Sequence, residues 1–142
     1  MAIVQKKIKN SATAIQPVFF SDFETDFLVD TRKNDIARLT NEESIKKSIR
    51  NLLLTNRGDR LFNNTLGSDM RSILFENPTP ALDQILSDYI TKTIDNYEPR
   101  AAIISVVVNS EVDSGYVNAT ITFNVINKQE PVTLDLVLNR IR

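Results

Sequence analysis

The residue types that could perform chemistry in this chain are few, because it contains neither histidine nor cysteine. The absence of histidine excludes Ser-His-Asp and Cys-His catalysis and most zinc or iron sites. The absence of cysteine excludes a disulfide framework and a thiolate nucleophile. The 3 glycines stand apart from one another, so there is no glycine-rich phosphate-binding loop. These absences argue against an enzyme and predict no cofactor and no metal.

Length and composition indicate one soluble globular domain. The chain has 142 residues, of which 42% are hydrophobic and 25% charged, as is typical of such domains. The formal net charge of -1 provides no general attraction to nucleic acid or to an anionic membrane. No apolar run reaches the length of a membrane-spanning helix, and residues 1–10 are too polar for a signal peptide. We therefore expect a protein made in the cytoplasm, or built into something assembled there, without nucleic-acid or membrane partners.

Glu98 and Arg100 form an unusual charged pair, because they flank Pro99 where one sequence pattern replaces another. Before them, apolar residues recur at intervals of three and four, which predicts a helix with one buried face. That face consists of Leu82, Ile85, Leu86, Tyr89, Ile90, Ile94 and Tyr97. Pro99 lacks an amide hydrogen and disfavours helical geometry at the residue before it, so the helix is predicted to end here. The residues alone favour an exposed ion pair or a helix cap of little net value.

The first helix is predicted to begin beside Thr40. Thr40 and Glu43, three residues later, form a capping box, and the helix is predicted to end near Thr55, before Gly58. Its buried face comprises Ile45, Ile49, Leu52 and Leu53. The loop that follows, from Arg57 to Gly67, contains apolar residues that are expected to anchor it to the core. These residues are Leu61, Phe62 and Leu66.

Two further helix starts are predicted between this loop and the charged pair. Ser68 is predicted to cap a short helix that extends to Phe75. The prolines of Asn77-Pro78-Thr79-Pro80 end that helix. Thr79 and Pro80 are then predicted as the N-cap and the first residue of the long helix.

Three strands are predicted after the charged pair. The first, Ala101 to Asn109, is almost continuously apolar, which predicts a buried strand. A turn at Asp113-Ser114-Gly115 leads to the second strand, Tyr116 to Asn127, which alternates apolar and polar residues, as does the third around Val132 to Leu138. The last strand is predicted to lie at the sheet edge, where only Asp135 discourages pairing with another chain.

The region before the first helix is predicted to form an arm and a small hairpin. Residues 1–20 are interpreted as an extended N-terminal arm, and residues 21–142 as a single domain. Ser11 to Phe27 is rich in aromatic residues without a helical period, so it is expected to lie outside regular structure, packing across the domain or contacting another chain. A hairpin is predicted between Asp26 and Leu39. The predicted fold is α+β, with three helices packed on a small antiparallel meander sheet.

Short segments spaced along the chain together match one known family. The first spans residues 39–55 and continues with Arg57-Gly58 and Arg60-Leu61-Phe62. The others are Gly67-Ser68, Arg71-Ser72, Leu74-Phe75-Glu76, Thr79-Pro80 and Tyr97-Glu98-Pro99-Arg100. From Ser21 to Leu138, in order and spacing, the chain resembles the baseplate wedge proteins of contractile-tailed phages and the related subunit of type VI secretion baseplates. The Glu-Pro-Arg triplet is the hallmark of this family.

The resemblance implies a structural, non-enzymatic role in a tail baseplate of a virion assembled in the host cytoplasm. Such proteins bind the helical core bundle of the wedge through the Glu-Pro-Arg corner, here Tyr97, Glu98, Pro99 and Arg100. They also start the contractile sheath, whose subunits add terminal arms as strands to the sheet. The accepting strand here would be Val132, Thr133, Leu134, Asp135, Leu136, Val137 and Leu138. Wedge proteins and the tail sheath protein are the implied partners, with the tail tube or hub as a further neighbour.

The loop after the first helix adds further predicted contacts, which are Arg57, Arg60 and Phe62. Family members usually have Arg-Pro-Phe-Asn-Pro in this loop, whereas this chain has Arg60-Leu61-Phe62-Asn63-Asn64. That departure leaves the path of the loop open. Residues 1–20 have no counterpart in the family, so the role of the arm also stays open.

Two alternative functions remain. A cell-wall glycosidase, suggested by the lysozyme name that the family has carried, would need two carboxylates beside a sugar cleft, for which Glu76 and Glu98 are the candidates. Arg100 would lower the pKa of Glu98, whereas a general acid requires a raised pKa. A regulatory adaptor that uses the fold as a binding module is the other alternative. A soluble one-to-one complex without tail components would favour the adaptor.

Overall fold

A computed structural model describes residues 17–75, 81–111, 115–126, 128 and 130–139 of the chain. Several predicted features therefore lie outside the described residues. They are most of the arm, Glu76, the helix start at Thr79 and Pro80, and the turn at Asp113 and Ser114. Within the described ranges, no helix is long and apolar enough to cross a membrane.

Four short strands form two nested hairpins before the first helix. β1 (Ser21–Phe23) pairs antiparallel with β4 (Arg38–Thr40), and between them β2 (Val29–Asp30) pairs antiparallel with β3 (Asp35–Ile36). The predicted hairpin is confirmed. The expectation that the segment up to Phe27 lies outside regular structure is wrong for β1. The hydrogen bonds of β1 are made to β4, a segment distant in sequence. The pattern of three residues alone does not reveal such a partner.

The first helix, α1 (Glu42–Leu54), ends as predicted, with Thr55 in the C-cap position. The predicted capping box is wrong, because Thr40 is the last residue of β4 and pairs with Ser21. Asn41 takes the N-cap position with a φ of 48°, and its side chain makes no cap hydrogen bond to the helix. The chain thus passes directly from strand to helix through one residue with a positive φ.

The short second helix, α2 (Met70–Leu74), is confirmed, but its predicted cap is wrong. Asp69 occupies the N-cap position. The Ser68 hydroxyl is buried and instead donates a hydrogen bond to the carbonyl oxygen of Leu53 at 2.6 Å. The Ser68 hydroxyl thus satisfies a carbonyl in the last turn of α1, and the cap position of α2 falls one residue later.

The long third helix, α3 (Leu82–Tyr97), has Ala81 in its N-cap position and ends where Pro99 predicts. Its predicted apolar face is largely confirmed, since Leu82, Leu86, Ile90 and Ile94 are buried. Ile85 is half exposed, because it lies at the margin of that stripe.

The three long strands β5 (Ala101–Glu111), β6 (Tyr116–Val125) and β7 (Pro131–Asn139) form an antiparallel sheet in the order β5-β6-β7. This order confirms the predicted meander and the edge position of the last strand. The predicted alternation of the middle strand is confirmed as well. Its inward residues Val117, Ala119, Ile121, Phe123 and Val125 are all buried.

β5 corrects one prediction, because it is the second edge of the sheet and not a buried strand. Ile104 and Val107 are half exposed on it. The register with β6 shifts between Ile103 and Ser105, which marks a β-bulge around Ile104. An apolar run predicts a strand, but it does not distinguish an edge from the middle of a sheet.

The hydrophobic core lies between the sheet and the three helices. Its largest fully buried side chains are Phe123, Ile45, Ile49, Met70, Leu86, Ile90, Ile94, Ile121 and Leu136. α3 packs along β5 and also contacts α1. The turn from α3 into β5 is therefore held against α1, and this contact positions the charged pair.

Candidate functional site

The corner between α3 and β5, residues 97–100, is fixed by backbone hydrogen bonds on both sides. The N–H of Glu98 donates to the carbonyl of Ile94 at 2.8 Å and completes the last helical turn. The N–H of Ala101 donates to the carbonyl of Glu98 at 3.1 Å and begins the strand. Pro99, which needs no partner for its nitrogen, lies between these two bonds.

The carboxylate of Glu98 is buried in this corner, with 4% of its side chain exposed. Arg100 donates from Nε to Oε1 at 2.5 Å and from Nη2 to Oε2 at 2.7 Å. Ser48 on α1 donates its hydroxyl to Oε2 at 2.5 Å. The interpretation as an exposed ion pair of little value is therefore wrong, because α1 packs over the carboxylate and removes it from water. Sequence reasoning did not identify Ser48, which contributes from a distant helix.

The ionisation of Glu98 follows from these contacts. Burial by itself raises the pKa of Glu98, but the hydrogen bonds from Arg100 and Ser48 outweigh burial and leave that pKa below its ordinary value of 4.5. The hydrogen bond to Glu98 in turn raises the pKa of Arg100, although burial of the guanidinium opposes this. Glu98 is therefore a paired anion at neutral pH, which is unsuitable as the general acid of a glycosidase.

The segment before β1 covers part of the Arg100 guanidinium. Cζ of Arg100 lies 5.4 Å from the ring centroid of Phe20, which is cation–π geometry. Asn41 holds this segment in place. Its Oδ1 accepts hydrogen bonds from the N–H groups of Phe19 and Phe20 at 2.9 and 3.3 Å, and its Nδ2 donates to the carbonyl of Pro17 at 3.1 Å. Sequence reasoning missed Phe20 and Asn41, and the aromatic density of the segment was the only signal.

Three of the four predicted corner residues reach solvent, because Tyr97 is partly exposed as well as Pro99 and Arg100. Pro99 is exposed, and 35% of the Arg100 side chain is exposed. The Tyr97 hydroxyl donates to the carbonyl of Thr65 at 2.6 Å and so attaches the loop at residues 57–67 to the end of α3. Pro99 and Arg100 can therefore touch a partner, while Glu98 fixes the orientation of Arg100.

The loop at residues 57–67 presents apolar side chains to solvent. Leu61 is 89% exposed and Phe62 is exposed to 103% of its reference area. The expectation that these two residues anchor the loop to the core is wrong. Of the two predicted basic contacts, Arg57 lies 3.3 Å from the Asp69 carboxylate, and Arg60 is exposed.

The base of the loop is anchored by backbone groups and a buried glycine instead. Gly67 has a φ of 127°, and a Cβ at this position would lie 2.7 Å from the carbonyl oxygen of Thr55. The N–H of Ser68 donates to the same Thr55 oxygen at 2.8 Å. Only glycine permits this close approach with this backbone conformation.

A polar cleft of about 220 Å³ joins the loop to the corner. It is lined by Asp22, Ser48, Asn51, Leu52, Thr55, Arg60, Leu66 and Tyr97. One predicted corner residue, Tyr97, and one predicted loop contact, Arg60, thus line the same cleft. Within the described part of the chain, no three His, Cys, Asp or Glu side chains are placed to hold a metal ion.

The seven residues predicted to accept a sheath strand all lie in β7, at one edge of the sheet. Val132, Leu136 and Leu138 face the core, and Thr133, Asp135 and Val137 are exposed. Asp135 was expected to discourage pairing at this edge. Its carboxylate accepts a hydrogen bond from the Thr120 hydroxyl of β6 at 2.8 Å, so it is directed across the sheet face.

Comparison with known proteins gives one family and several structures with the same fold. The family model Baseplate wedge protein gp25 matches residues 39–130. Baseplate wedge protein gp25 of Enterobacteria phage T4 is 31% identical over 113 residues, which cover 80% of this chain and 85% of that protein.

Three solved structures share the fold. A chain of the anti-feeding prophage baseplate has a TM-score of 0.66 and 22% identity, covering 78% of this chain and 89% of that one. A chain of the type VI secretion baseplate complex has a TM-score of 0.60 and 16% identity, and the match covers 70% of this chain and 93% of that one. A Geobacter sulfurreducens protein whose description includes the words tail lysozyme has a TM-score of 0.66 and 22% identity, covering 71% and 92%.

Proposed function

Because the chain belongs to the baseplate wedge protein gp25 family, we propose that it docks on the helical core bundle of the wedge through residues 97–100 and starts the tail sheath by accepting a strand at β7. The chain is a structural component of the virion tail baseplate, and other baseplate proteins are its partners.

The fixed orientation of Arg100 is the observation that carries the docking proposal. Glu98 accepts hydrogen bonds from two guanidinium nitrogens, and Cζ of Arg100 lies over the Phe20 ring. An arginine held in this way loses little side-chain entropy when it binds. Its exposed part, next to the exposed ring of Pro99, forms a rigid contact point suited to carbonyl or carboxylate groups of a helical partner.

The edge position of β7 supports strand addition. β7 is the outer strand of the sheet, so one side of its backbone has no sheet partner among the described residues. Extended peptides bind such edges through main-chain hydrogen bonds, and alternate side chains then provide specificity. Because the Asp135 carboxylate is hydrogen-bonded to Thr120 across the sheet face, it opposes strand pairing at this edge less than a free charge would.

We propose that neither role includes catalysis. The one glycosidase candidate in the described residues, Glu98, is buried and paired with Arg100. The other candidate, Glu76, lies outside the described residues. Hydrolysis of cell-wall material by the purified protein would contradict this part of the proposal.

The docking test compares tagged proteins recovered from cells that make the whole particle, with bound proteins identified by mass spectrometry. The informative variant is Glu98→Gln combined with Arg100→Gln, because it removes the cation without leaving a buried carboxylate unpaired. Arg38→Gln is the matched control, since it removes an exposed arginine from its ion pair with Asp35, away from the corner and the loop. We expect wedge proteins to be recovered with the wild type and with the control, but not with the double variant.

Folding of the double variant is checked by thermal unfolding before the comparison is made. Wedge proteins bound normally to a folded double variant would show that Arg100 is not a docking residue. Recovery of no baseplate protein with the wild type would contradict the whole proposal. A soluble one-to-one complex with another protein would then favour the regulatory adaptor.

Strand addition is tested with introduced cysteines, because the chain contains no natural cysteine. Thr133→Cys places a single thiol on β7, and Asn109→Cys places one on β5, the opposite edge of the sheet. Each protein carries a photoactivated cross-linker on its thiol during assembly. We expect cross-links to the terminal arms of the sheath protein from position 133 and not from position 109. Cross-links from position 109 alone would assign strand addition to β5 and overturn the choice of β7.

A further inference from the structure

We propose that Leu61 and Phe62, the loop tip, form a preformed apolar anchor that inserts into an apolar pocket with an acidic rim on the helical wedge protein. This inference rests on the proposed docking function, because it assigns a second contact to the same partner. The loop tip is the most exposed pair of large apolar side chains among the described residues. Scattered exposed apolar residues are normal, but two adjacent and almost fully exposed ones form a contact surface that water solvates poorly.

The loop tip is presented on a rigid support. The N–H of Gly58 donates to the carbonyl of Asn64 at 3.1 Å, and the N–H of Asn63 donates to the carbonyl of Arg60 at 3.3 Å. The Thr65 hydroxyl donates to Oδ1 of Asn63 at 2.8 Å. Below these bonds, the loop is attached to α3 by Tyr97 and to the end of α1 by Gly67. A loop ordered before binding loses less conformational entropy on binding, which favours its use as an anchor.

The loop and the corner are continuous, which identifies the occupant. Arg60 and Leu66 of the loop line the same cleft as Tyr97 of the corner and Ser48 beneath it. A helical protein that covers the exposed part of Arg100 therefore lies beside this cleft and within reach of the loop. Aromatic anchors of this kind, seated in a partner's pocket, dominate the binding energy of many interfaces.

The charges around the loop tip define the rim of the partner's pocket. Oδ2 of Asp59 accepts a hydrogen bond from the N–H of Asn56 at 3.1 Å, so the one acidic residue of the loop is engaged internally. Arg57 is paired with Asp69, whereas Arg60 is exposed and forms no ion pair within the described ranges. A carboxylate beside the pocket would complement Arg60 and guide the approach of the partner.

The test compares Phe62→Ser with Phe27→Ser in full-length protein co-produced with the wedge proteins. Phe27 is the matched control, because it is another largely exposed phenylalanine, at 67%, in a different loop. We expect Phe62→Ser to weaken wedge binding by about tenfold or more, as for an interface hot spot, and Phe62→Leu to retain most of it. Equal loss with Phe27→Ser, or unchanged binding with Phe62→Ser, would overturn the proposal.

A photoreactive benzoylphenylalanine at position 62 identifies what the loop tip touches. We expect cross-links to an apolar stretch of a wedge protein with Asp or Glu nearby. Cross-links to the sheath protein, or to a stretch without apolar residues, would overturn the proposal. So would binding of the wild type, and not of Phe62→Ser, to vesicles of phosphatidylcholine and phosphatidylglycerol, because that result would assign the loop tip to a lipid surface.

These outcomes separate the inference from the docking function on which it rests. If the wild type recovers wedge proteins and Phe62→Ser recovers them equally, only the loop tip is excluded. If the wild type recovers none, the docking function itself fails.

Discussion

The corner at residues 97–100 buries a carboxylate, whereas the loop tip exposes two large apolar side chains to water. Each region reverses the usual distribution of charge and hydrophobicity. The buried carboxylate of Glu98 is stabilised by three hydrogen bonds from Arg100 and Ser48. The exposed loop tip is supported by backbone hydrogen bonds and by the close approach of Gly67 to α1.

The difference shows two ways of preparing a contact point for a partner. At the corner, an interior charge fixes the direction of a partly exposed arginine. At the loop, a hydrogen-bonded backbone presents two large apolar side chains to solvent. Departures from local rules of burial are expected where a protein serves a partner, and both regions are compensated by neighbouring contacts. The following variants test whether the two regions differ in this way.

The largest expected effect concerns the support of the loop. Gly67→Ala should reduce the free energy of unfolding by about 3 kcal/mol, because a Cβ would meet the Thr55 carbonyl oxygen at 2.7 Å and the φ of 127° is unfavourable for alanine. Gly58→Ala should cost about 1 kcal/mol, since its φ of 88° is also positive but nothing lies within 4 Å of the new Cβ. Urea unfolding measures both values. Equal and small losses would show that the loop is not anchored at Gly67.

The next effect concerns the ion pair of the corner. Arg100→Ala should reduce the free energy of unfolding by about 2 kcal/mol, because it leaves the buried Glu98 carboxylate without its main partner. Arg57→Ala removes an exposed ion pair with Asp69 and should cost at most about 0.5 kcal/mol. Similar losses for the two variants would contradict the contrast between a buried and an exposed pair. Adding Glu98→Gln to Arg100→Ala should restore part of the stability.

Acid should weaken the corner in a predictable direction. The pKa of Glu98 is lower in the folded protein than its ordinary value of 4.5, so between the two pKa values the unfolded chain binds more protons. This contribution to stability is fully present above pH 4.5, the ordinary pKa, and it is lost as the pH falls through the lowered pKa of the folded state. Glu98→Gln lacks it, so its unfolding free energy should fall less steeply in acid than that of the wild type. Urea unfolding across the acid range compares the two proteins, and parallel curves would contradict the predicted linkage.

The smallest effect on stability should come from the loop tip itself. Phe62→Ser should change the free energy of unfolding by no more than about 0.5 kcal/mol, because the side chain is fully exposed and loses no contact with the core. Thermal unfolding of Phe62→Ser beside the wild type checks this. A clear loss of stability would mean that Phe62 packs in the folded domain, which would weaken its assignment as an anchor.

Much of the fold could be predicted because hydrophobic period is a local property. The helical repeat ending at Pro99, the alternation of β6 and the edge position of β7 were all predicted correctly. The predicted caps at Thr40 and Ser68 failed because Thr40 belongs to β4 and pairs with Ser21 of β1, and because the Ser68 hydroxyl is hydrogen-bonded at the end of α1. A capping motif predicts a cap only where no distant segment competes for the same groups.

The sequence by itself determined the class of the molecule. The lack of histidine and cysteine, the change of period at Glu98-Pro99-Arg100 and the final meander depend only on residue type and spacing, and they indicated an α+β domain without the commonest catalytic groups. The structural role was implied by the resemblance to the baseplate wedge family. The tertiary structure alone decided which side chains are exposed to solvent and which are buried. Ser48 and Phe20 reach the corner from distant segments, and Leu61 and Phe62 are exposed on a loop whose base closely approaches the end of α1 at Gly67. Burial depends on contacts between segments far apart in sequence, and local periodicity carries no information about those contacts.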